Sequence, residues 1–274
     1  MIDLDLIKAA LAEDLAGGVD VTSVSTISAD AELSAEFVAR DSGVVAGIEM
    51  AQGVLVEVGI TDIEVLVQDG DAVKTGEVLI RVTGNARAIL LAERTALNFL
   101  GHLSGIATLT NQWVSAIAGT NCEVRDTRKT TPGWRELEKF AVRMGGGTNH
   151  RMSLSDAALI KDNHIAAAGG VKEAFSAVRS AFPTAPIEIE VDTLEQLAEV
   201  LPLNPDLVLL DNMTPEQCRT AVSIVAGKTK LEASGGITLE LARAYAETGV
   251  DYIAIGALTH SAKNFDIGLD VRSN

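Results

Sequence analysis

Between Cys122 and His164 the chain gathers eight basic residues, Arg125, Arg128, Lys129, Arg135, Lys139, Arg143, Arg151 and Lys161, against six acids. The remaining residues carry 14 basic side chains against 32 acidic ones, and the net charge is −16. A net-positive island in so acidic a chain suits a small, highly anionic ligand. Guanidinium groups grip carboxylates and phosphates through a rigid fork, and an ammonium supplies a point charge. Thr127, Arg128 and Lys129 follow the short apolar run "CEVRD", so they belong to the end of a strand. Arg151 sits beside His150, which alone reads as structural but next to Arg151 is able to donate to an anion. Arg135, Lys139 and Arg143 fall in a helical pattern and read as solvated surface, and His164 reads as structural. The run Gly145–Gly147 reads either as a plain flexible loop or as a place where the next segment approaches a ligand closely.

The next apolar runs end in chemistry as well. "ALIKD" ends at Lys161 and Asp162, "IEIEVD" at Glu190 and Asp192, and "LVLLDN" at Asp211. The last two end in "ASGG", with Ser234, Gly235 and Gly236, and in "IGA", with Ile255, Gly256 and Ala257. Bare backbone N–H groups at strand-to-helix turns suit a phosphate monoester. Glu190 and Asp211 offer hard oxygens for Mg²⁺ or for sugar hydroxyls; Asp211 has the alternative of capping the helix that opens at Thr214. Cations, a phosphate cradle and two carboxylates together point to a sugar phosphate with pyrophosphate, and to a second anion beside it.

What must hold these residues is a repeated strand–helix unit. From Gly105 onward, β-branched or apolar runs alternate with helical patterns such as "TLEQLAEVL", "TPEQCRTAVSIVA" and "TLELARAYAETG", each opening on a Thr suited to an N-cap. Six such units mean parallel strands with crossover helices, and the lack of a G-x-G-x-x-G turn favours a closed or nearly closed barrel over a doubly wound sheet. In a parallel barrel the carboxyl ends of all strands share one rim, so residues scattered over the chain converge on one mouth. Before Gly105 the texture differs. An amphipathic helix over about residues 3–14, alternating strand-like stretches and a helix around "IEMAQGVLVEVG" precede a long helix starting near Ala86.

With 274 residues, 47% of them hydrophobic, the chain has enough apolar material for one large domain or two modest ones. Its charge argues against a nucleic-acid partner. Cys122 and Cys218 lack any disulfide or metal spacing and read as reduced and buried. The acidic N-terminus is unlike a signal peptide, and no apolar run reaches the roughly 20 residues that span a bilayer. The expectation is a soluble, cytoplasmic protein without a membrane partner. "DGDAVKTGEVL" resembles the hairpin of biotinyl and lipoyl carrier modules, but Lys74 lacks their modifiable setting and reads as part of an ordinary strand turn.

The motifs "DTRKTTPGWR", "GGGTNHR", "LIKDNH", "EIEVD", "LLDN", "EASGGI" and "IGALTHS" occur in this order. With them the chain closely resembles the quinolinate phosphoribosyltransferase family over essentially its whole length. The resemblance implies an N-terminal α/β sandwich domain (1–105, with the tail 262–274 returning to it) and an incomplete, open α/β barrel of parallel strands (106–261). It implies conversion of quinolinate and phosphoribosyl pyrophosphate to nicotinate mononucleotide, pyrophosphate and CO₂, with Mg²⁺. Arg94, Arg128, His150, Arg151 and Lys161 would then surround the two carboxylates of quinolinate, with Lys129 and Lys161 also touching phosphate. Glu190 and Asp211 would face the ribose hydroxyls and Mg²⁺, and Ser234, Gly235, Gly236, Gly256 and Ala257 the 5-phosphate. A homodimer is also implied, in which Arg94 reaches the neighbouring subunit's site. The residues alone make Arg94 a solvated helix position. A nicotinate-using relative remains a rival, although the full cationic set is oversized for a single carboxylate.

Overall fold

Asp3 starts the first helix, α1 (Leu4–Leu15), by accepting the Leu6 N–H at 3.0 Å. Asp20 does the same for α2 (Val21–Thr26). The computed structural model describes residues 2–272. They fall into two compact units: the chain through Asn111 with Leu137–Gly146 and the segment from Ser261 onward, and Gln112–Glu136 with Gly147–His260.

In the first unit α2 is followed by β1 (Glu32–Ala39), β2 (Gly43–Val44), α3 (Ile48–Glu57), β3 (Asp62–Val65), β4 (Ala72–Val73), β5 (Val78–Asn85) and α4 (Ala86–Ala116). The tail strand Ile267–Val271, β1, β5 and β3 form an antiparallel sheet in that order. Its core joins Ala35 and Phe37 of the sheet to Ile89, Leu100, Leu103 and Ile106 of α4, all fully buried. The tail lies so close to α4 that a Cβ on Gly105 would stand 2.1 Å from the Lys263 carbonyl oxygen, and Phe265 N–H donates to the Gly101 carbonyl at 2.9 Å. Only glycine permits that approach.

α5 (Arg135–Met144) corrects one expectation. Lys139 is fully buried rather than solvated, as is Glu138, whose carboxylate meets His102 Nε2 at 2.9 Å. Residues 137–146 group with the first unit, and α4 runs unbroken past Gly105. The cause is close packing: a Cβ on Gly145 would stand 2.3 Å from the Ala107 carbonyl oxygen. Gly145 is therefore a packing position, while Arg143 is exposed as expected.

The second unit holds β6 (Glu123–Arg125), β7 (Ala158–Ile160), α6 (Asp162–Ala168), α7 (Val171–Ala181), β8 (Ile187–Val191), α8 (Leu194–Val200), β9 (Leu207–Asp211), α9 (Pro215–Val225), β10 (Lys230–Ser234), α10 (Leu239–Ala246), β11 (Tyr252–Ala254) and α11 (Ala257–His260). The strands form one parallel sheet in the order β6-β11-β10-β9-β8-β7. This is an open barrel, because no ladder joins β6 to β7. A single parallel bridge, Arg125 to Thr148, stands on the open side of β6. Alternation along each strand sends Ile187, Ile189 and Val191 of β8 into apolar burial and leaves Glu188 and Glu190 on the other face. α8 and α9 begin with capping boxes at Thr193/Gln196 and Thr214/Gln217. Thr238 occupies the corresponding place before α10, but its side chain makes no capping bond, contrary to the sequence pattern. Cys122 and Cys218 are buried free thiols, and burial pushes them up to about 12 and about 11. Among the described residues no helix is long and apolar enough to cross a membrane.

Candidate active site

The carboxyl ends of all six barrel strands open on one cavity of about 750 Å³. Every residue expected at the site lines it except Arg94, which is exposed on α4 in the first unit.

Beyond β6 come Thr127, Arg128 and Lys129. Thr127 Oγ1 accepts the Lys129 N–H at 3.0 Å, and Thr259 Oγ1 donates to the Lys129 carbonyl at 2.8 Å, so the turn is held from both sides. The Arg128 Nε is buried and has no hydrogen-bond partner in the protein. A buried donor left open at a cavity wall is a place for an anionic acceptor. Arg135 is not free surface either: its Nε donates to Thr130 Oγ1 at 2.9 Å and its Nη1 to the Met152 carbonyl at 3.2 Å, tying two loops of the site together.

His150 and Arg151 arrive on the strand-like segment that Thr148 bridges to β6. The fully buried Asp126 carboxylate accepts the His150 N–H at 2.8 Å and an Asn149 side-chain N–H at 2.5 Å. Both His150 ring nitrogens engage protein atoms: Nδ1 accepts the Arg151 N–H and Nε2 faces Glu188, each at 2.8 Å. The Arg151 Nη1 donates to the Ala157 carbonyl at 2.7 Å. Burial, and then the neighbouring Arg128, push its guanidinium below the usual arginine range. Two crowded cations beside an open cavity favour a bound anion.

On the opposite wall Lys161, at the end of β7, pairs with Glu190 of β8 at 2.6 Å. His164 is exposed, and its Nδ1 accepts the Lys161 N–H at 3.1 Å, a local cap that gives it the structural role expected. Asp211 does not cap α9, since Thr214 does; it accepts instead from Asn212 Nδ2 at 2.7 Å. Burial first, then Asp192, hold the Asp211 carboxyl above the ordinary carboxylate range. A partly buried carboxylate beside another fits a hard divalent cation, which would relieve both penalties.

Ser234, Gly235 and Gly236 leave β10 in a turn that only glycine can make. Gly235 has φ +88, and a Cβ there would stand 2.2 Å from Asn212 Oδ1. Asn212 is itself left-handed (φ 54), and its N–H donates to the Ser234 carbonyl at 2.9 Å. Ile255, Gly256 and Ala257 follow β11, where a Cβ on Gly256 would sit 3.0 Å from the Lys129 side chain and 3.3 Å from His260 Nε2. Asn212, His260 and Glu232 also line the cavity and were missed in the sequence reading. The signal for Glu232 was present: it lies two residues before Ser234 on one strand, hence on the same face.

This arrangement places cationic side chains, a carboxylate pair and glycine turns around one cavity. Models of the N-terminal and C-terminal domains of quinolinate phosphoribosyl transferase match residues 20–104 and 106–270. The chain is 51% identical to a nicotinate-nucleotide pyrophosphorylase [carboxylating] from Mycobacterium leprae, over 97% of this chain and 96% of that protein. It is 43% identical to a probable enzyme of the same name from Bacillus subtilis, over 94% and 90%. The crystal structure of nicotinate-nucleotide pyrophosphorylase from Ehrlichia chaffeensis superposes with a TM-score of 0.94 at 40% identity, covering 98% of each chain. With both domain models matched in order and the whole chain aligned, the protein belongs to the quinolinate phosphoribosyltransferase family.

Proposed function

We propose that this cavity transfers the phosphoribosyl group of phosphoribosyl pyrophosphate to the ring nitrogen of quinolinate, releasing pyrophosphate, and that loss of CO₂ then gives nicotinate mononucleotide, a step of NAD biosynthesis. The observation that carries the reading is the single mouth that joins Arg128, Arg151 and Lys161 to Glu190, Asp211 and the glycine turns.

In this reading Arg128 and Arg151 hold the two carboxylates of quinolinate, and Lys161 and Lys129 reach carboxylate and phosphate oxygens. The turns at Gly235 and Gly256 take the 5-phosphate on backbone N–H groups. The ring nitrogen attacks the anomeric carbon while the bond to pyrophosphate breaks, and the sugar passes through a cationic state. Fixed negative charge on Glu190 and Asp211 stabilises that state, and the lysines and arginines stabilise the departing charge. The ring is now a pyridinium. When the C2 carboxylate leaves as CO₂, its bonding electrons stay on C2 beside the positive nitrogen, and a proton then takes the vacated position. No protein nucleophile takes part; the chain supplies positioning and electrostatics.

Glu190 and Asp211 are also the residues that would hold Mg²⁺, directly or through substrate phosphates. Held there, the ion would supply positive charge to offset that of the departing pyrophosphate. We further propose that the working form is a homodimer, each cavity completed by Arg94 of the second copy. The exposure of Arg94 on α4 leaves it available for that role.

The test uses quinolinate labelled in the C2 carboxylate. Labelled CO₂ is expected only when phosphoribosyl pyrophosphate is present, because the pyridinium must form first. Release without the co-substrate would refute the order of steps.

A further inference from the structure

Below the rim, the inward faces of the strands carry a layer of charge where barrels ordinarily pack branched aliphatic side chains. Arg125 of β6, Glu188 of β8 and Glu232 of β10 meet there with His150. Glu188 and Glu232 are buried, Glu232 completely.

The His150 Nδ1 accepts the Arg151 N–H. Its Nε2 faces Glu188 Oε2 at 2.8 Å, while Glu232 Oε1 is 3.5 Å from the same nitrogen. Glu232 Oε2 accepts from Arg125 Nη1 at 2.8 Å, and the guanidinium stacks on Tyr252 with its carbon 4.3 Å from the ring centre. One oxygen of each carboxyl, Glu188 Oε1 and Glu232 Oε1, is buried and has no partner. Two buried carboxylates thus lie against one imidazole, and each keeps an oxygen without a hydrogen bond. β9, the strand between β8 and β10, contributes apolar Leu209 to this layer, with Asp211 above it. Arg151, whose guanidinium feels the Glu188 carboxylate, borders the layer, and Arg128 and Lys161 line the same cavity.

Neighbouring buried carboxylates repel, and a single proton relieves the repulsion while supplying an O–H to an unpartnered oxygen. Glu232 is the group best placed to take it: burial, and then the Glu188 carboxylate, push its carboxyl up to about 7, against the opposing pull of His150 and Arg125. His150 Nε2, Glu188 and Glu232 also lie near enough to one another to ligate a metal, their atoms within 4.8 Å. The contact of Nε2 with Glu188 and the Arg125 hydrogen bond to Glu232, however, already engage that nitrogen and one oxygen of each carboxyl.

Glu232 and His150 line the same cavity as the cationic shell. We propose that Glu232 is protonated when the cavity is filled, that anionic substrate binding is linked to this proton, and that Glu188 and His150 are positioning residues that keep it there. The proposal rests on the reading of the cavity as a quinolinate site. An ionised Glu232 beneath a dianion opposes it; a protonated one does not.

The test is calorimetric titration of the full chain with quinolinate at about pH 8 in two buffers of different ionisation enthalpy. Wild-type protein should take up a proton on binding, approaching one per site. Its affinity should fall by up to roughly tenfold per pH unit above the Glu232 range. Glu232→Gln, which copies the shape of the protonated acid, should show neither effect. No uptake in wild type, or equal uptake and slope in Glu232→Gln, overturns the proposal. Infrared difference spectra of wild type offer a check that needs no variant: binding should add a protonated-carboxyl stretch, and its absence counts against the proposal. If quinolinate does not bind but inorganic pyrophosphate does, the substrate reading fails and the linkage is read with pyrophosphate. Binding of neither anion overturns both.

Discussion

Replacing Arg128 with alanine should weaken quinolinate binding strongly and leave the fold almost untouched. The two halves of this prediction come from the same atom. The Arg128 Nε is buried at the cavity wall without a protein partner, so its removal breaks no bond there that holds the structure together. Arg128 also stands near enough to Arg151 to push that guanidinium below its usual range, so deletion relieves a like-charge contact. Hydrogen bonds to charged groups contribute about 1.5–3 kcal/mol, which corresponds to roughly a 10- to 150-fold loss of affinity. Stability should stay level or rise slightly, with the melting temperature within about 2 °C of wild type or above it. Arg128→Lys keeps the charge but loses the fork and should fall between the two. The assay pairs calorimetric titration of quinolinate with thermal unfolding of each variant. A melting temperature lowered by many degrees at unchanged affinity would refute the reasoning, because Arg128 would then be a structural residue.

Other perturbations separate the remaining roles. Asp211→Asn keeps the shape and deletes the charge, so kcat should fall while quinolinate affinity holds; a defect confined to affinity would contradict its role beside the cationic sugar. Gly235→Ala forces a side chain into φ +88 against Asn212, costing at least about 1–2 kcal/mol of stability, and should raise KM for phosphoribosyl pyrophosphate but not for quinolinate. A raised carboxyl pKa means that the native chain binds a proton the unfolded chain has released, so the contribution of Glu232 to stability declines as pH rises from about 4.5 to about 7. Melting curves of wild type and Glu232→Gln should therefore diverge across that window, and parallel curves would argue against it. Arg94→Ala mixed with Asp211→Asn should recover activity that neither has alone if Arg94 serves a second subunit's cavity, whereas a strictly additive mixture would not support the dimer.

The barrel was legible because its signal is local. β6 to β11 are short runs rich in apolar residues with a polar residue or glycine at or just beyond their ends, and Thr193 and Thr214 announce α8 and α9 by short-range capping. Parallel topology then places Lys161, Glu190, Asp211 and Ser234 on one rim without any need for contacts between them. What sequence hid was long-range. The burial of Glu138 and Lys139 rests on packing that no neighbouring residue foretells; His102, which holds Glu138, is 36 residues away. Glu188 and Glu232 look like solvent-facing strand positions until one notices that they sit two residues below Glu190 and Ser234, on the inward face. Barrel closure was not legible either, since the gap between β6 and β7 depends on pairing rather than pattern. Arg94 is exposed in the chain itself, so neither its position nor its surroundings disclose a function.

The most direct test of the central claim is a comparison of two substrates. Purified protein is given phosphoribosyl pyrophosphate and Mg²⁺ with either quinolinate or nicotinate, and nicotinate mononucleotide is followed by chromatography. A shell of Arg128, Arg151 and Lys161 built for two carboxylates predicts product from quinolinate alone. Product from nicotinate alone would keep the barrel and the phosphate turns but contradict the assignment of the cationic shell.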